Sequence, residues 1–193
     1  TMKTYQFIYL ANDPSKNSNG FGLFVHSSSS ARLLYIRING SNYSTGLYIP
    51  LKASTEVTAT YEKNTNNTKY TTKVYINGVL RYTKNDCAAI TMHDTAKIRI
   101  SPSNYDTGGT NARYLGIYEY LAVYDTVISE SLIKNNYNTT NWNVNNLQYL
   151  FDFRNIKVIN GNKNPKNIIK PAIILFFLAY ITSKKILRAE DIK

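Results

Sequence analysis

Residues 73–83, KVYINGVLRYT, constrain the fold more than any other stretch. Apolar and polar residues alternate on both sides of Asn77-Gly78. That two-residue period belongs to a strand with one buried face. Asn-Gly is the pair that most readily takes the two positive φ angles of a type I′ turn. The stretch therefore reads as a hairpin, with Val74, Ile76 and Leu80 in a core and Asn77 and Gly78 in the turn.

The same period recurs in 4–11, 21–27, 32–38, 47–51, 55–62, 96–101, 114–125 and 147–154. In 55–62, Val57, Ala59 and Tyr61 point inward, while Glu56, Thr58, Thr60 and Glu62 point outward. In 114–125, Leu115, Ile117, Leu121 and Val123 share one face, and Tyr114, Tyr118, Tyr120 and Tyr124 share the other. Glu119 interrupts the first face, which a bulge near it would resolve. NGSNYSTG, ahead of 47–51, reads as a turn.

One segment, 129–137, reads as a helix. Ser129 is its N-cap. Ile128 and Ile133 stand at the positions of a hydrophobic staple. Ile133 and Tyr137 follow at i,i+4 on a buried face. Short strands, polar turns and one short helix give an all-β fold, a sandwich of two antiparallel sheets.

Net charge is +11, with Lys and Arg scattered along the chain rather than gathered in a stripe. This reads as a solvated basic surface, and no nucleic-acid partner is expected. KIRI and LYIRI place their basic residues on strand faces turned away from the aliphatic core. Cys87 is alone, so no disulfide within the chain and no cysteine-based zinc site can form; it reads as a small buried hydrophobe.

The hairpin precedes a strand KIRIS and then YLGIYEYLAVYDTVISESLIKNNY. That order resembles the laminin-G-like, concanavalin A-like domains, over roughly residues 4–154. Tyr75, Asn77 and Gly78 match the family's hairpin; Gly116, Tyr124, Ile128, Ser129, Ile133 and Tyr137 match its strand-turn-helix. Leu132 stands where an acid usually completes a capping box, and Glu119 replaces the usual Asp. The resemblance implies a jelly-roll sandwich and a non-catalytic recognition module, with carbohydrate as ligand. It also implies a strand ahead of 4–11, a slot that 147–154 would fill.

Glycosidases on this scaffold need two carboxyl groups a few ångströms apart. Glu56, Glu62, Glu119, Asp125 and Glu130 are isolated along the chain, so no enzyme is expected and a glycosidase is only a remote alternative. His26 and His93 have no nucleophile at a recognisable elbow and read as structural or surface residues. Asp94 and Asp106 offer oxygens for calcium at loop tips, but no dense acidic cluster surrounds them, so no metal ligand is assigned. Aromatic faces for sugar stacking are offered by Tyr43, Tyr48, Tyr105, Tyr114, Tyr118, Tyr120 and Trp142. The polar loop 102–113 concentrates the expectation: Asn104, Tyr105, Asp106 and Asn111, with Tyr114 and Trp142, form the expected ligand site.

Composition shifts at the end of the chain. Residues 1–156 read as the sandwich, 157–167 as a polar linker and 168–193 as an apolar and basic tail. The uncharged run 172–181 is shorter than the roughly 20 residues that span a bilayer. The tail reads as a helix docking on this domain or on a protein partner, or as a membrane-surface contact aided by Lys184, Lys185 and Arg188. The expected role is a carbohydrate-binding recognition module of a secreted, cell-surface or phage-tail protein. The alternative is a structural subunit of a virion or other large assembly. An extracellular, cell-surface or virion location goes with both.

Overall fold

A computed structural model describes residues 5–12, 18–28, 31–50, 53–66, 68–92, 95–100, 117–139, 147–152, 157–160 and 173–180. Its strands are β1 (Tyr5–Asn12), β2 (Phe21–Ser28), β3 (Ala31–Ile38), β4 (Ser41–Ile49), β5 (Ser54–Lys63), β6 (Tyr70–Ile76) and β7 (Val79–Cys87). They continue with β8 (Lys97–Ile100), β9 (Ile117–Tyr124), β10 (Leu147–Asp152), β11 (Lys157–Asn160) and β12 (Ile173–Tyr180). The helix α1 spans Glu130–Thr139. One sheet runs β4-β3-β2-β1-β8 and the other β11-β10-β9-β12-β5-β6-β7. Every pairing within them is antiparallel.

The core lies between the two sheets. Leu23, Val25, Leu34 and Ile36 come from the first, and Val57, Ala59, Val74, Leu121 and Val123 from the second. Alternation puts these residues on facing surfaces. Cys87 is buried in the same cluster as a free thiol. The turn after β6 is the expected one, with φ of 51° at Asn77 and 74° at Gly78. Its core assignment is narrower than expected. Val74 is fully buried and Ile76 packs partly against the core, but Leu80 is 38% exposed.

A bulge sits at Glu119. Tyr120 pairs with Leu178 and Tyr118 with Ala179, so Glu119 is the extra residue on β9. It reverses the parity of the strand below it. Tyr118 therefore joins the core side, away from Tyr120 and Tyr124, which corrects the expected tyrosine face.

The outward side of β5 is also corrected. Glu56, Thr58 and Thr60 are buried, and only Glu62 of that row is exposed. This face carries α1: Ile128 and Ile133 pack with Tyr75, Ala122, Tyr124, Leu147 and Leu150. The cap forms as read, with Leu132 N–H donating to Ser129 Oγ at 3.2 Å and Ile133 N–H to the Ser129 carbonyl at 3.0 Å. Tyr137 is 36% exposed, so the helix buries Ile133 but not its i+4 neighbour.

Residues 157–160, within the stretch read as a linker, form β11 beside β10. Residues 173–180, read as a docking helix, form β12 instead. This strand lies between β5 and β9, with Leu175 opposite Ala59 and Val123 and Phe177 opposite Val57 and Leu121. Strand β10, proposed to fill an extra slot, lies between β9 and β11.

Candidate functional site

The six residues expected to bind ligand, Asn104, Tyr105, Asp106, Asn111, Tyr114 and Trp142, lie outside the described residues, as do His93 and Asp94. The other tyrosines of that set separate. Tyr118 and Tyr120 are used internally: the Tyr118 hydroxyl donates to the Ile8 carbonyl at 3.0 Å, and that of Tyr120 donates to Glu56 Oε2 at 3.3 Å. Tyr43 packs partly on the core, with Lys84 Nζ 4.3 Å from its ring centroid. Tyr48 is 63% exposed, the most open of the large apolar residues described.

Tyr48 belongs to the outer face of the first sheet. Leu34, Ile36 and Ile38 of β3 point into the core, so Leu33, Tyr35 and Arg37 point away from it. Register extends three rows across the strands. His26, Leu33 and Tyr48 form one, Phe24, Tyr35 and Ser44 the next, and Gly22, Arg37 and Asn42 the third. Phe24 stacks on Tyr35 with centroids 5.0 Å apart and planes at 16°, and Phe7 lies 5.1 Å from Phe24 on the other side. His26 approaches Tyr35 at 6.0 Å.

The face is uneven in exposure. Phe7, Leu10 and Phe24, on β1 and β2, are fully buried. His26, Leu33 and Tyr35 are half-buried, and Asn42, Ser44 and Tyr48 on β4 are exposed. A closed aromatic floor thus leads to an open edge. Gly22 lets the floor close: a Cβ there would stand 3.0 Å from Leu10 Cδ1 and 3.2 Å from the Tyr9 carbonyl oxygen.

Charge is segregated between the sheets. The five strands of the first sheet hold Arg32, Arg37, Lys97, Arg99 and His26, and no Asp or Glu. Arg37 and Arg32 are buried, which corrects the reading of a solvated basic strand face. Arg37 Nη1 donates to Asn42 Oδ1 at 2.8 Å, and Arg99 Nη2 donates to Asn12 Oδ1. The strands of this sheet thus carry cationic side chains with no carboxylate among them, which leaves the sheet net positive.

The described carboxylates lie elsewhere and apart from each other. Glu119 accepts from Ser54 at 3.0 Å, Asp125 from Gln148 at 2.8 Å, and Glu130 from Tyr75 at 3.0 Å. Glu56 is sealed from solvent, and burial pushes its carboxyl up to about 7 despite the Tyr120 and Thr58 hydroxyls, which pull it back. Burial also raises Tyr124 to about 12, with the facing Asn136 amide opposing. Among the described residues, no three His, Cys, Asp or Glu side chains are grouped to hold a metal. No helix there is long and apolar enough to cross a membrane. The β3–β4 edge offers a ring face, an amide and a hydroxyl, which are groups that hold a polar ligand.

Comparison with protein-family models, curated proteins and solved structures finds no match to this chain.

Sequence reasoning missed this edge because NGSNYSTG looked like one long turn. The turn takes only Asn39 and Gly40, with φ of 47° and 84°, and β4 begins at Ser41. The signal was the second Asn-Gly pair, identical to that of the opening hairpin.

Proposed function

We propose that the chain is a non-catalytic recognition domain of the laminin-G-like, concanavalin A-like jelly-roll kind, taking carbohydrate at the outer β3–β4 face. The observation that carries this reading is Tyr48, 63% exposed at the open end of a stacked aromatic floor. Pyranose rings bury their C–H faces on such rings, and polar neighbours like Asn42 and Ser44 fix their hydroxyls. A sheet with five basic side chains and no carboxylate favours acidic sugars over neutral ones. The dispersal of Glu56, Glu119, Asp125 and Glu130 supports binding without hydrolysis. Loop 102–113, with Tyr105 and Asp106, is proposed as a second set of contacts. A secreted, cell-surface or phage-tail setting suits this role. Titrating carboxylated and neutral oligosaccharides into isotope-labelled protein tests it: shifts should centre on β3 and β4, and none at millimolar ligand contradicts the reading.

A second reading, a structural subunit of a larger assembly, is favoured by the exposed Tyr48, Val79 and Leu80 on β4 and β7, edge strands of the two sheets. A monodisperse monomer at high concentration would count against it.

A further inference from the structure

Glu56 is where four elements meet. Its N–H donates to Asn77 Oδ1 at 2.9 Å, and its carbonyl accepts from Asn77 N–H at 3.0 Å, fixing β5 to the β6–β7 turn. That turn rests on the helix, since a Cβ at Gly78 would stand 3.0 Å from Lys134 Cα and 3.3 Å from Tyr137 Cβ. Across the sheet, the Cα positions of both Glu56 and Tyr120 pair with Leu178 of β12. The Glu56–Tyr120 hydrogen bond therefore joins the two strands that hold β12 between them.

This node contains a fully buried acid with weak support. The carboxyl accepts from Thr58 Oγ1 at 3.4 Å and Tyr120 at 3.3 Å, both at the long end for O–H donors. Tyr120 and Tyr124 of β9 interact with the carboxyl, and Tyr75, Lys73 and Glu62 share its face of the sheet, with Glu130 of α1 held by Tyr75 and Lys73. Lys73, the cation on that face of β6, is 3.4 Å from Glu130 and so is engaged there. Burial keeps the protons on Tyr75 and Tyr124 well above neutrality, so neither ionises with Glu56. An ionised carboxylate needs either several short donors or water. Here water can reach it only if the covering layer opens.

We propose that Glu56 is a proton-operated latch: protonated, it lets β12 stay seated between β5 and β9 with α1 packed over that face, and ionised, it loosens both while the first sheet stays shut. This inference stands apart from the carbohydrate reading, since it concerns the opposite sheet.

Hydrogen exchange of the full chain at pH 5.5 and 8, corrected for intrinsic rates, tests the latch. Protection of 130–139 and 173–180 should fall about thirtyfold at pH 8, the amount expected of one carboxyl held near neutrality when closed and at its ordinary value when open. Protection of 31–38 should fall by less, to the extent that its amides exchange through openings that leave Glu56 buried. Glu56→Gln should remove the fall, and Glu62→Gln, on the exposed end of the same strand, should leave it. Tyr120→Phe removes a donor to the carboxylate and should move the midpoint to higher pH, a readout that survives if Glu56→Gln fails to fold. An equal fall in Glu56→Gln, or an unmoved midpoint in Tyr120→Phe, overturns the proposal.

Discussion

The Tyr118 hydroxyl crosses the sandwich to the main-chain carbonyl of Ile8, 3.0 Å away, and both residues stand at bulges in their own strands. The register of β1 shifts between Phe7 and Tyr9, and that of β9 shifts at Glu119. A bulge leaves one residue out of the ladder and turns its backbone or its neighbour aside. Here one strand supplies an inward phenol, and the other an inward acceptor.

Tyr118→Phe keeps the ring and removes the donor. It should cost about 1 kcal/mol in denaturant unfolding, the usual worth of such a bond. Deleting Glu119 should cost more, because it restores the register and turns Tyr118 to the opposite face. Equal losses in the two variants would contradict this account of the bulge.

Gly78 and Gly46 have nearly the same backbone, with φ of 74° and 72°, but different surroundings. A Cβ at Gly46 meets nothing within 4 Å, whereas one at Gly78 meets the main chain of α1. Gly46→Ala should lose about 1 kcal/mol, for the left-handed conformation alone. Gly78→Ala should lose clearly more, as the turn is pushed off the helix. Denaturation midpoints of the two variants compare them directly.

Global stability should fall as pH rises through neutrality. The folded protein holds the Glu56 proton up to about 7, against an ordinary value of 4.5. A folded value above the unfolded one means that the contribution is complete below 4.5 and lost as pH passes 7. From pH 5.5 to 8 the loss from this group is about 2 kcal/mol. Urea unfolding of wild type and Glu56→Gln across that range measures it, and parallel pH profiles would contradict it.

Local patterns made much of the fold legible. The Asn77-Gly78 turn, the Ser129 cap, the Ile128–Ile133 staple and the Glu119 bulge all follow from residues within a few positions of each other. What could not be read is what covers each face. Alternation in 55–62 separates two sides of a strand but does not say that α1 will lie over Glu56 and Thr58. The bulge was legible, but the resulting reversal of Tyr118 required knowing which side of Glu119 keeps the register. The apolar run at 173–180 does not alternate, and such a run suits a central strand as well as a buried helix. The β4 edge was hidden by its Ser, Asn, Thr and Gly, which together resemble loop composition.

The proposed recognition at the outer face of the first sheet turns on the exposed Tyr48 ring. Calorimetric titration of a carboxylated oligosaccharide into wild type, Tyr48→Ala and Tyr137→Ala tests it most directly, since Tyr137 is an exposed tyrosine on α1, away from that face. Binding should be at least about tenfold weaker for Tyr48→Ala, as loss of a stacking ring gives, and unchanged for Tyr137→Ala. Equal affinity in all three proteins, or no binding by any, would contradict it.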